Sequence, residues 1–131
     1  MPILYLYQLR DTSLNTKGFT MTESRAIAEI VSTLLSHGPV YSGGDQHTAK
    51  GIAADWYESG FNAAEVDEWC RVYCWDASVA ADFHNAGMRP NTAAKACRMY
   101  DYRQAHADSM YAACNGDLPT ADIIAFYKAQ V

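Results

Sequence analysis

The chain has 131 residues, half of them apolar, and its 15 acidic and 10 basic side chains give a formal charge of −5. That length suits one domain with a core of its own; two separate cores would be a tight fit. The negative balance repels a phosphate backbone unless the basic residues gather on one face, and no apolar run approaches the roughly 20 residues of a bilayer span.

The first residues, MPILYLYQLR, lack the basic leader and cleavage site of a signal peptide, so a cytoplasmic protein with reduced cysteines is expected. Residues 3–9, ILYLYQL, combine Ile and Tyr with leucine over a strand-length span, and the polar RDTSLNTKG ends it. The candidate partner strand is Val40-Tyr41, between Pro39 and the Gly-rich connector Ser42-Gly43-Gly44-Asp45. Without it the strand is an open edge that would pair with a second copy and make a homodimer.

Thr20-Met21-Thr22-Glu23 fits a capping box, so a helix should follow. Ala26, Ile27, Ile30, Val31, Leu34 and Leu35 form its stripe, and Gly38-Pro39 closes it. From residue 47 onward the helical pattern dominates. Ala49, Ile52, Ala53 and Trp56 make one stripe; Val66, Trp69, Cys70, Tyr73 and Cys74 make the next. Gly60, Gly87 and Gly116 read as helix stops, and Pro90 and Pro119 each begin a new helix three residues later.

Residues 54–73, ADWYESGFNAAEVDEWCRVY, align with residues 81–100, ADFHNAGMRPNTAAKACRMY, at six of 20 positions. Random pairing would give about one identity, so a duplicated helical hairpin is expected. Each copy ends one helix on an aromatic, turns at a glycine, and starts a second helix whose Cys and Tyr share a buried face at i and i+3. Neither copy buries its stripe alone, and stacking one on the other supplies the wall. A weaker third copy begins near Asn115-Gly116. The expected fold is a single mainly α domain of about five to six helices. Residues 1–45 hold the β element, a helix and the connector, and residues 46–131 hold stacked hairpins.

Chemistry is thinly signalled. Cys70 and Cys74 lie one helical turn apart and, with Cys97, Cys114 or His84, have the ligand types of a zinc site, but not the tight-loop spacing. Core thiols are the preferred reading, and no metal or cofactor is implied. A nucleophilic pair of Cys114 with His106 is a further alternative. Gly43-Gly44-Asp45 lacks the lysine and hydroxyl of a phosphate loop, and no carboxylate pair is marked for acid–base work. The expectation is a protein without enzymatic activity.

Charge is more informative. Residues 55–82 carry seven carboxylates against Arg71 alone, whereas residues 89–103 carry Arg89, Lys95, Arg98 and Arg103 against Asp101. One reading is solvated faces and salt bridges between the copies. The other is that Asp55, Glu58, Glu65, Asp67 and Glu68 bind a basic protein surface, with nine tyrosines and three tryptophans available as anchors.

The phrase WYESGFNAAEVDEWC, followed by VAADFHNAGMRPNTAA, resembles short helical modules of uncharacterised bacterial and phage proteins. In size, acidity and lack of catalytic motifs the chain is similar in character to small phage accessory proteins of the anti-CRISPR type. That likeness implies stoichiometric binding to a Cas subunit or complex, blocking a nucleic-acid site or a recruitment surface. The main expectation is therefore a protein-binding inhibitor acting in the cytoplasm. The first alternative is a helix-turn-helix regulator near residues 76–103 that offers Arg89, Lys95, Arg98 and Arg103 to DNA phosphates. The second is a small metal- or thiol-dependent enzyme.

Overall fold

The computed structural model describes residues 19–101 and 106–131, with the backbone alone at 106–108. The proposed strand at 3–9 and Arg103 lie outside the described residues. Within them the protein is mainly helical: α1 (Met21–His37), α2 (Pro39–Ser42), α3 (Gln46–Glu58), α4 (Ala63–Arg71), α5 (Ala77–Asn85), α6 (Pro90–Tyr100), α7 (His106–Cys114) and α8 (Thr120–Gln130). That is more than the five to six expected, because the segment at 39–42 forms its own helical turn and residues 106–130 make a full third hairpin.

Helix α1 starts as its sequence dictates. The Glu23 N–H donates to Thr20 Oγ1 at 3.1 Å while the Thr20 N–H donates to Glu23 Oε1 at 2.9 Å, which satisfies two amide donors that a helix start leaves open. Ile27, Ile30, Val31 and Leu34 are buried on one face. The strand proposed at Val40-Tyr41 is instead part of α2. Pro39 at the first helical position presets the backbone, Gly43 closes the turn at φ 79°, and buried Ser42 holds both ends. Its hydroxyl donates to the Gly38 carbonyl and accepts from the Gly44 N–H, both at 3.1 Å.

Residues 54–73 and 81–100 each form the end of one helix, a turn and a second helix. At the first turn Phe61 N–H donates to the Trp56 carbonyl at 3.1 Å and Gly60 N–H to the Tyr57 carbonyl at 3.0 Å. At the second, Met88 donates to Phe83 at 2.9 Å and Gly87 to His84 at 2.9 Å. This paired pattern is the Schellman helix ending, which needs a left-handed residue at the glycine and favours an apolar contact between the residue after it and the aromatic four positions before it. Gly60 has φ 97° and Gly87 φ 83°. Phe61 stands edge-on to Trp56 at 5.4 Å. The repeated "aromatic, three residues, Gly-apolar" phrase is therefore the chemistry of a helix stop written twice.

A third stop follows α7, where Asp117 N–H donates to the Ala112 carbonyl at 2.8 Å and Gly116 to Ala113 at 3.2 Å. Here the residue after the glycine is polar and exposed, and the next one, Leu118, packs on the core.

Two expectations about the copies are corrected. Cys70 and Cys97 are both buried, but Tyr73 does not share the face of Cys70. Helix α4 ends at Arg71, and Tyr73 takes the left-handed position of another Schellman ending, with φ 72°. Its N–H donates to the Cys70 carbonyl and that of Cys74 to Trp69, both at 3.0 Å. Tyr73 is 39% exposed, and its ring leans edge-on against Tyr111. Nor do the copies mainly wall one another. Helix α1 covers α3 and α4, whereas α8 lies against α5 and α6, and α7 against α6. The copies meet through α3 and α5 and along a seam of rings, in which Phe61 faces Trp69 and His84, and Trp69 stacks on Phe83 at an interplanar angle of 13°. The buried side chains from Phe19 to Ile123 form one cluster across both blocks.

Candidate functional site

The contact between α3 and α5 leaves a groove of about 630 Å³ open to solvent. Val40 and Gly43 form one wall, Ile52, Asp55 and Glu58 of α3 with Ser59 just after it the second, and Trp75 to Ser78 at the start of α5 the third. Each wall follows from local sequence. Asp55 is three residues beyond Ile52 and Glu58 three beyond Asp55, so all lie along one ridge of α3. Helix α5 starts where Asp76 caps it, its Oδ1 accepting from Ser78 N–H at 2.8 Å, Ser78 Oγ at 2.6 Å and Val79 N–H at 3.4 Å. That cap turns the chain so that Trp75 stays half-buried beside the groove.

The electrostatics are one-sided. Asp55, Glu58 and Asp76 line the groove and no described cationic side chain does. Asp76 is occupied by its cap, but the exposed Asp55 and Glu58 carboxylates have no hydrogen-bond or ion-pair partner among the described side chains. Val40 is 56% exposed. Apolar side chains and carboxylates unpaired among the described residues thus share one concave surface.

The five acidic residues singled out from the sequence separate into three settings. Asp55 and Glu58 share this groove. Asp67 is internally engaged: His37 Nε2 lies 2.7 Å from its Oδ1 and Arg71 Nε 2.7 Å from its Oδ2. The Arg71 guanidinium first, then His37, holds the Asp67 carboxyl below its ordinary range. Glu65 closes a second capping box with Asn62, with both bonds at 2.9 Å. Glu65 and Glu68 line a separate hollow of about 320 Å³ with Phe61, Trp69, His84, Met88 and Arg89. Arg89 there holds the N-cap position of α6 without a side-chain cap bond and is exposed, as is Lys95, whereas Arg98 is half-buried in the last turn. In that hollow Glu65 and Glu68 of the first copy therefore face Arg89 of the second.

All four cysteines are buried free thiols. Among the described residues no three His, Cys, Asp or Glu side chains gather as a metal site requires. The set Cys70, Cys74, Cys97 and Cys114 is thus not assembled, and instead Cys74 and Cys114 form a pair, with sulfurs 3.7 Å apart. The side chain of His106, proposed to act with Cys114, lies outside the description. Burial pushes the Cys70 and Cys97 thiols up to about 12. Sequence reasoning missed both the groove and the sulfur pair, whose members are 40 residues apart. No helix is long and apolar enough to cross a membrane among the described residues.

No protein-family model, curated protein or solved structure matches the chain.

Proposed function

We propose that the protein is a non-enzymatic binding module that takes a basic, partly apolar segment of a protein partner into the groove between α2, α3 and α5. The observation that carries this reading is the placement of the exposed Asp55 and Glu58 carboxylates beside Ile52, Val40 and Trp75. Lysine or arginine side chains suit that arrangement, because their aliphatic stems cover apolar surface while their charged ends reach the carboxylates. Arginine also stacks on an indole face. If the protein acts as an inhibitor of the anti-CRISPR type, the nucleic-acid-binding surface of a Cas subunit is the first basic surface to be tried.

A fluorescein-labelled peptide of alternating Lys and Leu, followed by anisotropy at low and moderate salt, tests the reading. Wild-type protein is expected to bind it with an affinity that falls as salt rises. The Asp55→Asn/Glu58→Gln double variant should lose roughly five- to tenfold, as expected for two solvent-accessible charge pairs. The control Glu65→Gln/Glu68→Gln should change little. Equal affinity of wild type and the groove double variant at low salt would sink the proposal, and salt-sensitive binding of random duplex DNA instead would favour the helix-turn-helix alternative.

A further inference from the structure

Cys74 ends the turn after α4, and Cys114 is the last residue of α7. Their sulfurs lie 3.7 Å apart, within a buried setting that leaves Cys74 fully covered and Cys114 7% exposed. In the dithiol form Cys74 Sγ donates to the Asp76 carbonyl at 3.5 Å, and the Cys114 thiol donates to Cys74. A disulfide has a sulfur separation near 2.05 Å, so the two atoms need to close by about 1.7 Å. Both residues stand at element ends, where a side-chain rotation and a small backbone adjustment meet least resistance.

We infer that Cys74 and Cys114 are a modification site, a thiol pair that peroxide oxidises to an intramolecular disulfide. Cys70 and Cys97 also feel the charge of Cys114, but among the described residues it is the Cys74 sulfur that lies within hydrogen-bond distance of it. Cys114 is the attacking sulfur. Once Cys114 ionises, the Cys74 S–H turns from the Asp76 carbonyl to donate to it, and this bond, then the backbone N–H groups of Trp75 and Asp76, favour the thiolate and lower the Cys114 pKa against the effect of burial. Burial raises that of Cys74 well above its ordinary value.

The step balances with hydrogen peroxide as the two-electron oxidant. The Cys114 thiolate attacks one peroxide oxygen, the O–O bond breaks, and the departing hydroxide takes a proton, leaving Cys114 as the sulfenic acid. Cys74 then attacks Cys114 Sγ and the S–O bond breaks. The hydroxyl leaves as water with the Cys74 proton, so two thiols and one peroxide give one disulfide and two waters. Peroxide suits the site because it is small enough to reach a sulfur with little exposure. The inference is independent of what the groove binds.

The test uses the intact reduced protein under native conditions. After peroxide treatment and quenching, it is unfolded in guanidinium with N-ethylmaleimide and weighed by mass spectrometry. Two fewer labels than in the untreated protein are expected, together with a Cys74–Cys114 cross-linked peptide that dithiothreitol releases. The Cys70→Ala/Cys97→Ala variant should still form the link, and Cys114→Ala should not. Cross-linking also closes a loop of 40 residues, so the oxidised protein should melt on the order of 10 °C above the reduced one. Retention of all four labels, a link between another pair, or over-oxidation of Cys114 without a link overturns the inference.

Discussion

Phe61 is the side chain on which the two duplicated hairpins converge, so replacing it tests the account of the fold most directly. It is 3% exposed and follows the turn glycine of the first copy. Its ring meets Trp56 at 5.4 Å, His84 at 5.5 Å and Trp69 at 6.3 Å. Phe61→Ala removes the apolar burial, leaves a cavity and breaks the edge contacts, for a cost of about 3–5 kcal/mol. With an unfolding entropy of about 2.1 cal/mol/K per residue, a chain of 131 residues has about 275 cal/mol/K in all. Each kcal/mol then moves the melting temperature by about 3.6 °C, and the variant should melt about 11–18 °C lower. Phe61→Leu keeps much of the volume and loses the aromatic edges, so about 1–1.5 kcal/mol is expected. Urea unfolding followed by tryptophan fluorescence is the assay, with Trp56 and Trp69 as neighbouring reporters. A Phe61→Ala loss below about 1 kcal/mol at unchanged m-value would mean that the seam between the copies is not closed as described.

Gly60→Ala and Gly87→Ala meet no steric obstacle, since nothing lies within 4 Å of an added Cβ at either site. Their cost is therefore conformational: about 1–2 kcal/mol for the left-handed backbone, partly offset by the stiffer unfolded chain, or a melting temperature about 4 °C lower in each. Unchanged melting in both would refute the shared helix ending. Asp67→Asn separates charge from shape where Asp67 meets His37 and Arg71. Because the native carboxyl is held below its ordinary value of 3.8, the wild-type advantage is fully present above that pH and fades as the pH falls through the lower native value. Thermal melts from pH 7 to pH 2 should show the gap between wild type and variant closing at the acid end. A gap constant across that range would contradict the assignment.

Features encoded within a few residues were legible in the sequence. The Thr20–Glu23 box, the α1 stripe and the glycine stops each need only neighbours along the chain. The second box, Asn62 with Glu65, has the same spacing, and its polar pair before Val66 was a sufficient signal. Tyr73 was not legible, because the left-handed position it fills ordinarily goes to glycine or asparagine and a tyrosine there gives no warning. Nor was α2, since Val40-Tyr41 carries strand-like residues while Pro39 and Gly43 decide the backbone. The groove and the sulfur pair depend on packing between elements distant in sequence. Asp55 and Glu58 read as one acidic run with Glu65, Asp67 and Glu68 until the turn at Gly60 sends α4 another way. Cys74 meets Cys114 because α7 returns across the α4–α5 connection.

The three glycine stops, at Gly60, Gly87 and Gly116, are unequal. Phe61 and Met88 staple the first two with buried apolar side chains, whereas the third has exposed Asp117 at the same position and delegates the apolar contact to Leu118. A clasp between neighbours compensates in part, with Thr120 Oγ1 donating to Asp82 Oδ2 at 2.6 Å. The protein should therefore breathe from its third hairpin, with α7 and α8 exchanging amide hydrogens before α3 and α4 do. Cys114 sits at the hinge of that weakest unit. An opening that parts α7 from the α4–α5 connection would uncover its sulfur, so the rate of local opening, and not chemical reactivity alone, would set how readily that sulfur is reached.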